Sequence, residues 1–369
     1  MDRRRALLTL TYGIAGSVAS LAGCRKSDAQ SAEYVPLPTA SRDVNAPLVL
    51  RPLYLENPSQ MRFSTESLER MLALTVLQVR LHLGQEIRFA SLQTQSLPIA
   101  FQRFSPEVRS KLNPRLFDVR RETPESRKCF FTGLRKELEG QLSDGGNTLA
   151  NLIAYAKPHL VEGLRGEPRA SLDSLDSLVQ AVGETHLTRL RAALASGMLP
   201  ADASEPFNEF IYWEFAQEMA LRHEVVLTNQ LIASAEFSNH ALHTALRGGI
   251  TNGVTFSNPR SALGTSAVGS LAAFFDDKPW LAPLTDATQI APYSLAEREH
   301  FLALLLTHEI GHMLLHLGHP YGVPACVMSP TKQLHYRAWA NGLDAAACAG
   351  AKNRDMVPGR VRFPRRLAL

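Results

Sequence analysis

Residues 294–328 read SLAEREHFLALLLTHEIGHMLLHLGHPYGVPACVM. Ser294 and Glu297 make an S-x-x-E capping box directly before a long apolar run. One helix is therefore expected from Leu295 to about Leu317, apolar around most of its circumference and buried. His308 and His312 lie four residues apart and so project from one side, one turn apart, where two imidazoles can hold one Zn²⁺. Glu309 projects from the adjacent turn, where a carboxylate reaches the reacting water without ligating the metal. Two hydrogen-bonded core histidines are the competing reading of a bare HExxH. His316, His319 and Met328, which follow closely, favour the metal site.

A zinc hydrolase needs a third protein ligand and an open coordination position. No glutamate follows Glu309, which excludes a downstream glutamate ligand; Asp344 and Asp355 leave a His₂Asp site as a minor alternative. Were the helix to continue through His316, that side chain would lie roughly 12 Å along the axis from His308. The third ligand must come from a chain that has turned back. Gly318 is the expected turn residue, because glycine tolerates positive φ, and His319 follows it. His319 is the preferred third ligand and His316 the alternative.

HEIGH over His308–His312, LGH ending at His319, and Cys326-Val327-Met328 together resemble the metzincin metallopeptidases, most of all the archaemetzincin branch. The resemblance implies an α+β zincin domain with a mixed twisted sheet, an active-site helix and a Met-turn. It implies His308, His312 and His319 as ligands of one Zn²⁺, Glu309 as general base and Met328 as the Met-turn residue. It also makes the segment around Gly253–Phe256 the edge strand that pairs with an extended peptide substrate, and Tyr336 a weak candidate for oxyanion stabilisation. The chain departs from the family motif HExxHxxGxxH: Leu315 stands at the glycine position, and the third histidine follows His312 by seven residues instead of six. Either an insertion is absorbed before Gly318, or His316 takes the role through an earlier break. Pro320 stands where the archaemetzincins place a cysteine, so no second, cysteine-bound zinc is expected. The resemblance spans about the last 150 residues and is strong only over His308–Met328.

At the other end, Arg3–Arg5 precede an apolar run from Leu7 to Ala22. Leu21-Ala22-Gly23-Cys24 resembles the lipobox of bacterial lipoproteins. That resemblance implies a signal peptide over 1–23 and a lipid on Cys24, which would hold the protein on a membrane facing the periplasm or the cell exterior. An ordinary cleaved signal or an anchor helix is the alternative, and the export route, Sec or twin-arginine, stays open. Residues 24–47, rich in Ser, Ala, Pro and Asp, read as a flexible tether. The zincin-like body is then 48–369, with a helical insertion at about 105–222 and an active-site region at about 223–369.

The 45% hydrophobic and 20% charged residues are those of an ordinary globular protein, and a net charge of +4 makes no case for nucleic acid. Of the four cysteines, Cys326 and Cys348 are the most plausible disulfide, buried free thiols being the alternative; Cys129 would then be a free thiol. Helices are expected over Thr65–Leu83 with a stop at Gly84, and over Glu125–Leu142, Thr148–His159, Leu172–Ala195 and Pro206–Arg222. Strands are expected over Glu86–Leu92, Glu224–Ala233, Gly249–Phe256 and Ser266–Phe275. The insertion is expected to pack on the catalytic sheet. His159 and His186 read as surface residues, His240 and His243 as structural or surface, and His335 as a still weaker ligand. Phe207, Phe210, Tyr212, Trp213 and Phe215 read as core.

Three functions follow. The first is a membrane-tethered zinc metallopeptidase acting outside the cytoplasm on peptide or protein substrates. The second is a zinc-binding lipoprotein without proteolysis, and the third a lipoprotein that binds partners through the insertion. Specificity and oligomeric state are not encoded in any motif.

Overall fold

The computed structural model describes residues 35–36, 47–106, 122–143, 147–161, 172–195, 221–230, 232–233, 242–258, 261, 263–274, 293–331, 335–348, 351 and 359–360. The signal peptide with Cys24, the aromatic cluster Phe207–Phe215, His240, Asp355 and all but the last two residues of the Pro206–Arg222 helix lie outside them, as does most of the tether.

Strand β1 (Val35–Pro36) is followed by β2 (Leu48–Leu50) and β3 (Pro52–Glu56). Helix α1 (Thr65–Leu83) starts where the Ser64 side chain caps Ser67 N and ends at Gly84, whose φ of 67° is the left-handed stop that glycine accepts without strain. Then come β4 (Ile87–Phe89), β5 (Gln93–Ser96) and α2 (Leu97–Gln102). Helices α3 (Pro124–Ser143), α4 (Leu149–Ala156) and α5 (Leu175–Ala195) form the insertion. They are followed by β6 (Val225–Thr228), β7 (Ile232–Ala233), α6 (Leu242–Leu246), β8 (Ile250–Thr251), β9 (Gly253–Ser257) and β10 (Thr265–Ser270). The long α7 (Leu295–Leu315), α8 (Tyr336–Asn341) and β11 (Gly359–Arg360) complete the chain.

Five strands form one sheet in the order β5-β3-β6-β10-β9. The first four are mutually parallel and β9 runs antiparallel along the edge. Side chains alternate across it, as pleating requires. Tyr54, Val225, Leu227 and Ala267 face the core shared with α1 and α7, while Leu53, Leu55, Val226 and Val268 meet Leu97, Ala100 and Phe104 on the other side. Helices α1 and α7 pack along each other, and α7 lies against β9 and β10. The architecture is a mixed α+β fold with a mostly parallel sheet.

Several expected elements are shorter, for identifiable reasons. The run Glu224–Ala233 breaks into β6 and β7, which lie in different sheets, because buried Asn229 and Gln230 turn to Asn57: Asn57 N donates to Asn229 Oδ1 and Asn57 Nδ2 to Gln230 Oε1, both at 2.6 Å. Glu86–Leu92 narrows to β4, the next strand beginning at Gln93. Asn252 divides Gly249–Phe256 into β8 and β9, and β10 gives way to a 3₁₀ turn at Ala272–Phe274.

The insertion differs more. The buried residues of α3–α5, among them Phe130, Leu134, Leu152, Tyr155 and Val182, build a separate core with Leu242, Ala245, Leu246 and Tyr321, so among the described residues these helices pack chiefly on α6 and on the segment after α7, with Leu190 and Leu221 reaching the sheet-side clusters. His186 is buried in that core with its ring 4.7 Å from Phe130, which corrects its reading as a surface residue; a helix packed on several sides has little polar face left. Cys326 and Cys348 form the expected disulfide. Cys129, expected as a free thiol, is disulfide-bonded instead. The free-thiol reading followed only from reserving Cys24 for a lipid.

Candidate metal centre

The capping box forms as read. Ser294 N donates to Glu297 Oε2 at 2.8 Å and Glu297 N to Ser294 Oγ at 3.3 Å, which fixes where α7 begins. Beyond its first turn α7 is almost wholly buried. It does not run to Leu317 and turn at Gly318. It ends at Leu315, and His316 itself adopts the left-handed conformation with φ 52°. Among the described residues it is the one non-glycine with positive φ. Histidine is one of the few side chains enriched there. The chain then doubles back, and Leu317 N returns to Gly311 O.

That turn brings His319, not His316, to the helical pair. His308, His312 and His319 are the group of possible metal ligands among the described residues. Their Nε2 atoms form a triangle, 3.0 Å between His308 and His312, 3.0 Å between His312 and His319, and 3.1 Å between His308 and His319. His316, His335 and Asp344 are not members of it. His316 instead makes the turn that delivers its neighbour.

The protons on the first two rings can be placed. His308 Nδ1 lies 2.8 Å from Val327 O, and His312 Nδ1 is close to Leu317 O. A carbonyl only accepts, so each Nδ1 carries the proton and each Nε2 presents a lone pair. Burial holds His308 and His319 well below the ordinary histidine range and His312 down to about 4, so the rings are neutral near pH 7. Two neutral lone pairs 3.0 Å apart cannot hydrogen-bond to each other. A cation between them resolves the contact. Three nitrogens about 2.0–2.1 Å from one tetrahedral ion would be separated by roughly 3.4 Å, close to the triangle found here. The carbonyl-anchored Nδ1 atoms are also what a metal-binding histidine requires to fix its ring. The triad can therefore bind a metal ion.

Glu309 is buried beside the group. Thr255 Oγ1, on β9, lies 2.9 Å from its Oε2 and 3.0 Å from its main-chain oxygen. Gly253 makes room for it, since a Cβ there would fall 2.2 Å from Glu309 Oε1. Burial pushes the carboxyl up to about 8, against the Thr255 hydrogen bond and the charge of Arg247. Met328 is fully buried under the helix, its Sδ where a side chain on Gly311 would begin. The Cys326–Cys348 disulfide flanks Val327, whose N–H also reaches Cys348 Sγ at 3.1 Å, so the carbonyl that orients His308 sits on a cross-linked segment.

Tyr336 opens α8, fully buried among Phe274, Phe301 and Trp339, and its hydroxyl is paired with Asn252 Nδ2. Burial raises its pKa far above the usual phenol range. Four residues that the sequence did not mark, and His243, which it marked as structural or surface, contribute here. His243 packs its ring edge-on 4.7 Å from His319 and shares a 3.3 Å hydrogen bond with Tyr321 Oη. Asn147, from the loop between α3 and α4, donates to His319 O at 2.9 Å and accepts from Tyr321 N at 3.0 Å. Arg247, Asn252 and Thr255 complete the surroundings. Only the i, i+3 pair His240/His243 gave any local signal, and it carried no partner motif.

Comparison with family models, with curated proteins and with solved structures finds no match to this chain.

Proposed function

We propose that the chain is an exported zinc-dependent metallopeptidase of metzincin type that hydrolyses peptide bonds. The observation that carries the reading is the triangle of Nε2 atoms with Glu309 beside it on α7. His308, His312 and His319 would hold the ion, and three neutral imidazoles suit zinc. The one-residue departure from HExxHxxGxxH is consistent with it, because the left-handed residue and the third histidine are still three apart, at His316 and His319. Strand β9 supports a peptide substrate: it lies at the sheet edge, with no strand beyond it among the described residues, and its free backbone groups suit pairing with an extended chain.

Zinc in the triad would act as a Lewis acid towards water and the scissile carbonyl and would draw the Glu309 carboxyl back to its ionised form. Glu309 then takes the proton of the attacking water and returns it to the leaving amine. Thr255 keeps the carboxylate oriented, and the space above Gly253 lets it approach. Met328 has no proton to move and serves as a packed floor. Tyr336, whose hydroxyl is paired with Asn252 beside β9, is the weak candidate for the oxyanion.

The test is metal analysis and peptide hydrolysis on the zinc-supplemented chain and its Glu309→Gln variant. We expect one zinc in both and hydrolysis only with Glu309. Zinc in both with hydrolysis in neither would leave a metal-binding protein without proteolysis. No zinc in either would sink the enzyme reading and favour partner binding through the insertion.

A further inference from the structure

Arg247 follows α6 at the head of a turn completed by Gly248 and Gly249, both with positive φ. The turn is fixed by Gly249 N to Thr244 O at 2.9 Å, and buried Arg189 donates to the neighbouring Leu246 O. Arg247 is 3% exposed. Its hydrogen bond among the described residues is Nε to His243 O at 3.1 Å, on the residue whose ring packs against His319. No carboxylate among the described residues forms an ion pair with it, and its two terminal nitrogens, the fork that grips a carboxylate, are unbonded there. The guanidinium is close enough to Glu309, His308, His319 and Tyr336 to act on the charge of each. The nearest acid, Glu309, has its Oε2 engaged by Thr255.

A buried cation without a counter-ion is costly, and it persists where function requires it. Loading the triad with a dication makes the imbalance larger. Phosphate-sized anions or an acidic peptide group could restore balance; the first has no basic cluster to hold it among the described residues, where buried Arg189 is committed to the Leu246 and His159 carbonyls. We propose that Arg247 binds a carboxylate of the peptide substrate next to the scissile bond, either the C-terminal carboxylate or an Asp or Glu side chain. This rests on the peptidase reading and narrows it to peptides that carry a negative charge near the cleaved bond.

The probes are three N-acetylated peptides: an alanine tripeptide as the free acid, the same peptide as its C-terminal amide, and an amidated tripeptide with one glutamate. Calorimetric binding is measured on the zinc-supplemented full chain carrying Glu309→Gln, with hydrolysis followed in parallel on the wild type. We expect a carboxylate-bearing peptide to bind roughly tenfold to a hundredfold more tightly than the uncharged amide, the advantage of a charge-assisted hydrogen bond. Preference for the free acid would identify the terminal carboxylate, and preference for the glutamate peptide the side chain. Adding Arg247→Gln should abolish the preference and Arg247→Lys keep part of it. Equal binding of all three peptides to the chain with Arg247 intact overturns the proposal without reference to any variant. A preference that survives Arg247→Gln overturns it too, since the carboxylate would then sit on the metal. The peptidase reading fails separately: a carboxylate preference with no hydrolysis by the wild type sinks that reading alone, while Glu309-dependent hydrolysis with no preference sinks only this one.

Discussion

His316 and His319 divide two tasks between them, one making the turn and the other completing the triad. We expect His319→Ala to lose the bound zinc and His316→Ala to keep it, as metal analysis of the two variants would show. Glu309 carries a pH signature in the metal-free chain. Its carboxyl holds a proton up to about 8 in the folded state but only to the ordinary 4.5 when unfolded. Between those limits the folded chain binds more protons, so stability falls as pH rises, by up to about 1.4 kcal/mol per pH unit. Urea unfolding of metal-free wild type and Glu309→Gln should therefore give a stability difference that grows in favour of glutamine between about pH 5 and about pH 8. The opposing titrations of the buried histidines are common to both proteins and cancel in that difference. His308, Glu309, His312, His319 and Met328 were legible in the sequence because they lie within one short stretch whose chemistry is local. Thr255 and Asn147 were not, since they act on Glu309 and His319 across 54 and 172 residues of chain. Arg247 and Asn252 likewise acquire meaning only from what folds against them.

At the level of elements, two glycines set the separation between helix, strand and Met328. A methyl group on Gly253 would collide with the Glu309 carboxylate. Gly253→Ala should keep zinc and lose about a hundredfold in kcat, the scale of a small misplacement of a catalytic group. Gly311→Ala collides with the flexible end of Met328 and otherwise makes ordinary contact with Leu83. It should cost about 1 kcal/mol in thermal unfolding, at the low end for overpacking. Breaking the Cys326–Cys348 link with Cys348→Ser should cost about 3 kcal/mol and, by loosening Val327, weaken zinc binding about tenfold. Helix limits were read well where the signal was a cap, as at Ser294 and Gly84, and less well where a side chain from elsewhere made the break. Nothing near Asn229 announces that Asn57 will interrupt a β-branched run. The interior strand β3 escaped notice because it opens with a proline and pairs with β6, some 170 residues away.

Over the whole molecule, the sheet with α1 and α7 supplies one core and the insertion with α6 another, and the triad lies where they meet. The sequence showed that a helical block interrupts the fold, but not where it docks, since its contacts with α6 and Tyr321 join residues as far as 57 and 174 positions apart. Among the described residues no helix is long and apolar enough to cross a membrane.

Asn147 gives that docking a consequence in time. The main chain of His319 is held from the insertion side, while His308 and His312 belong to α7. A bound ion would therefore tie α7 to a segment steadied from the insertion, and its release would quicken as the two bodies part. Its dwell time becomes a clock for the breathing of the helical block, and shortening Asn147 to alanine should make that clock run faster while the triad itself stays whole.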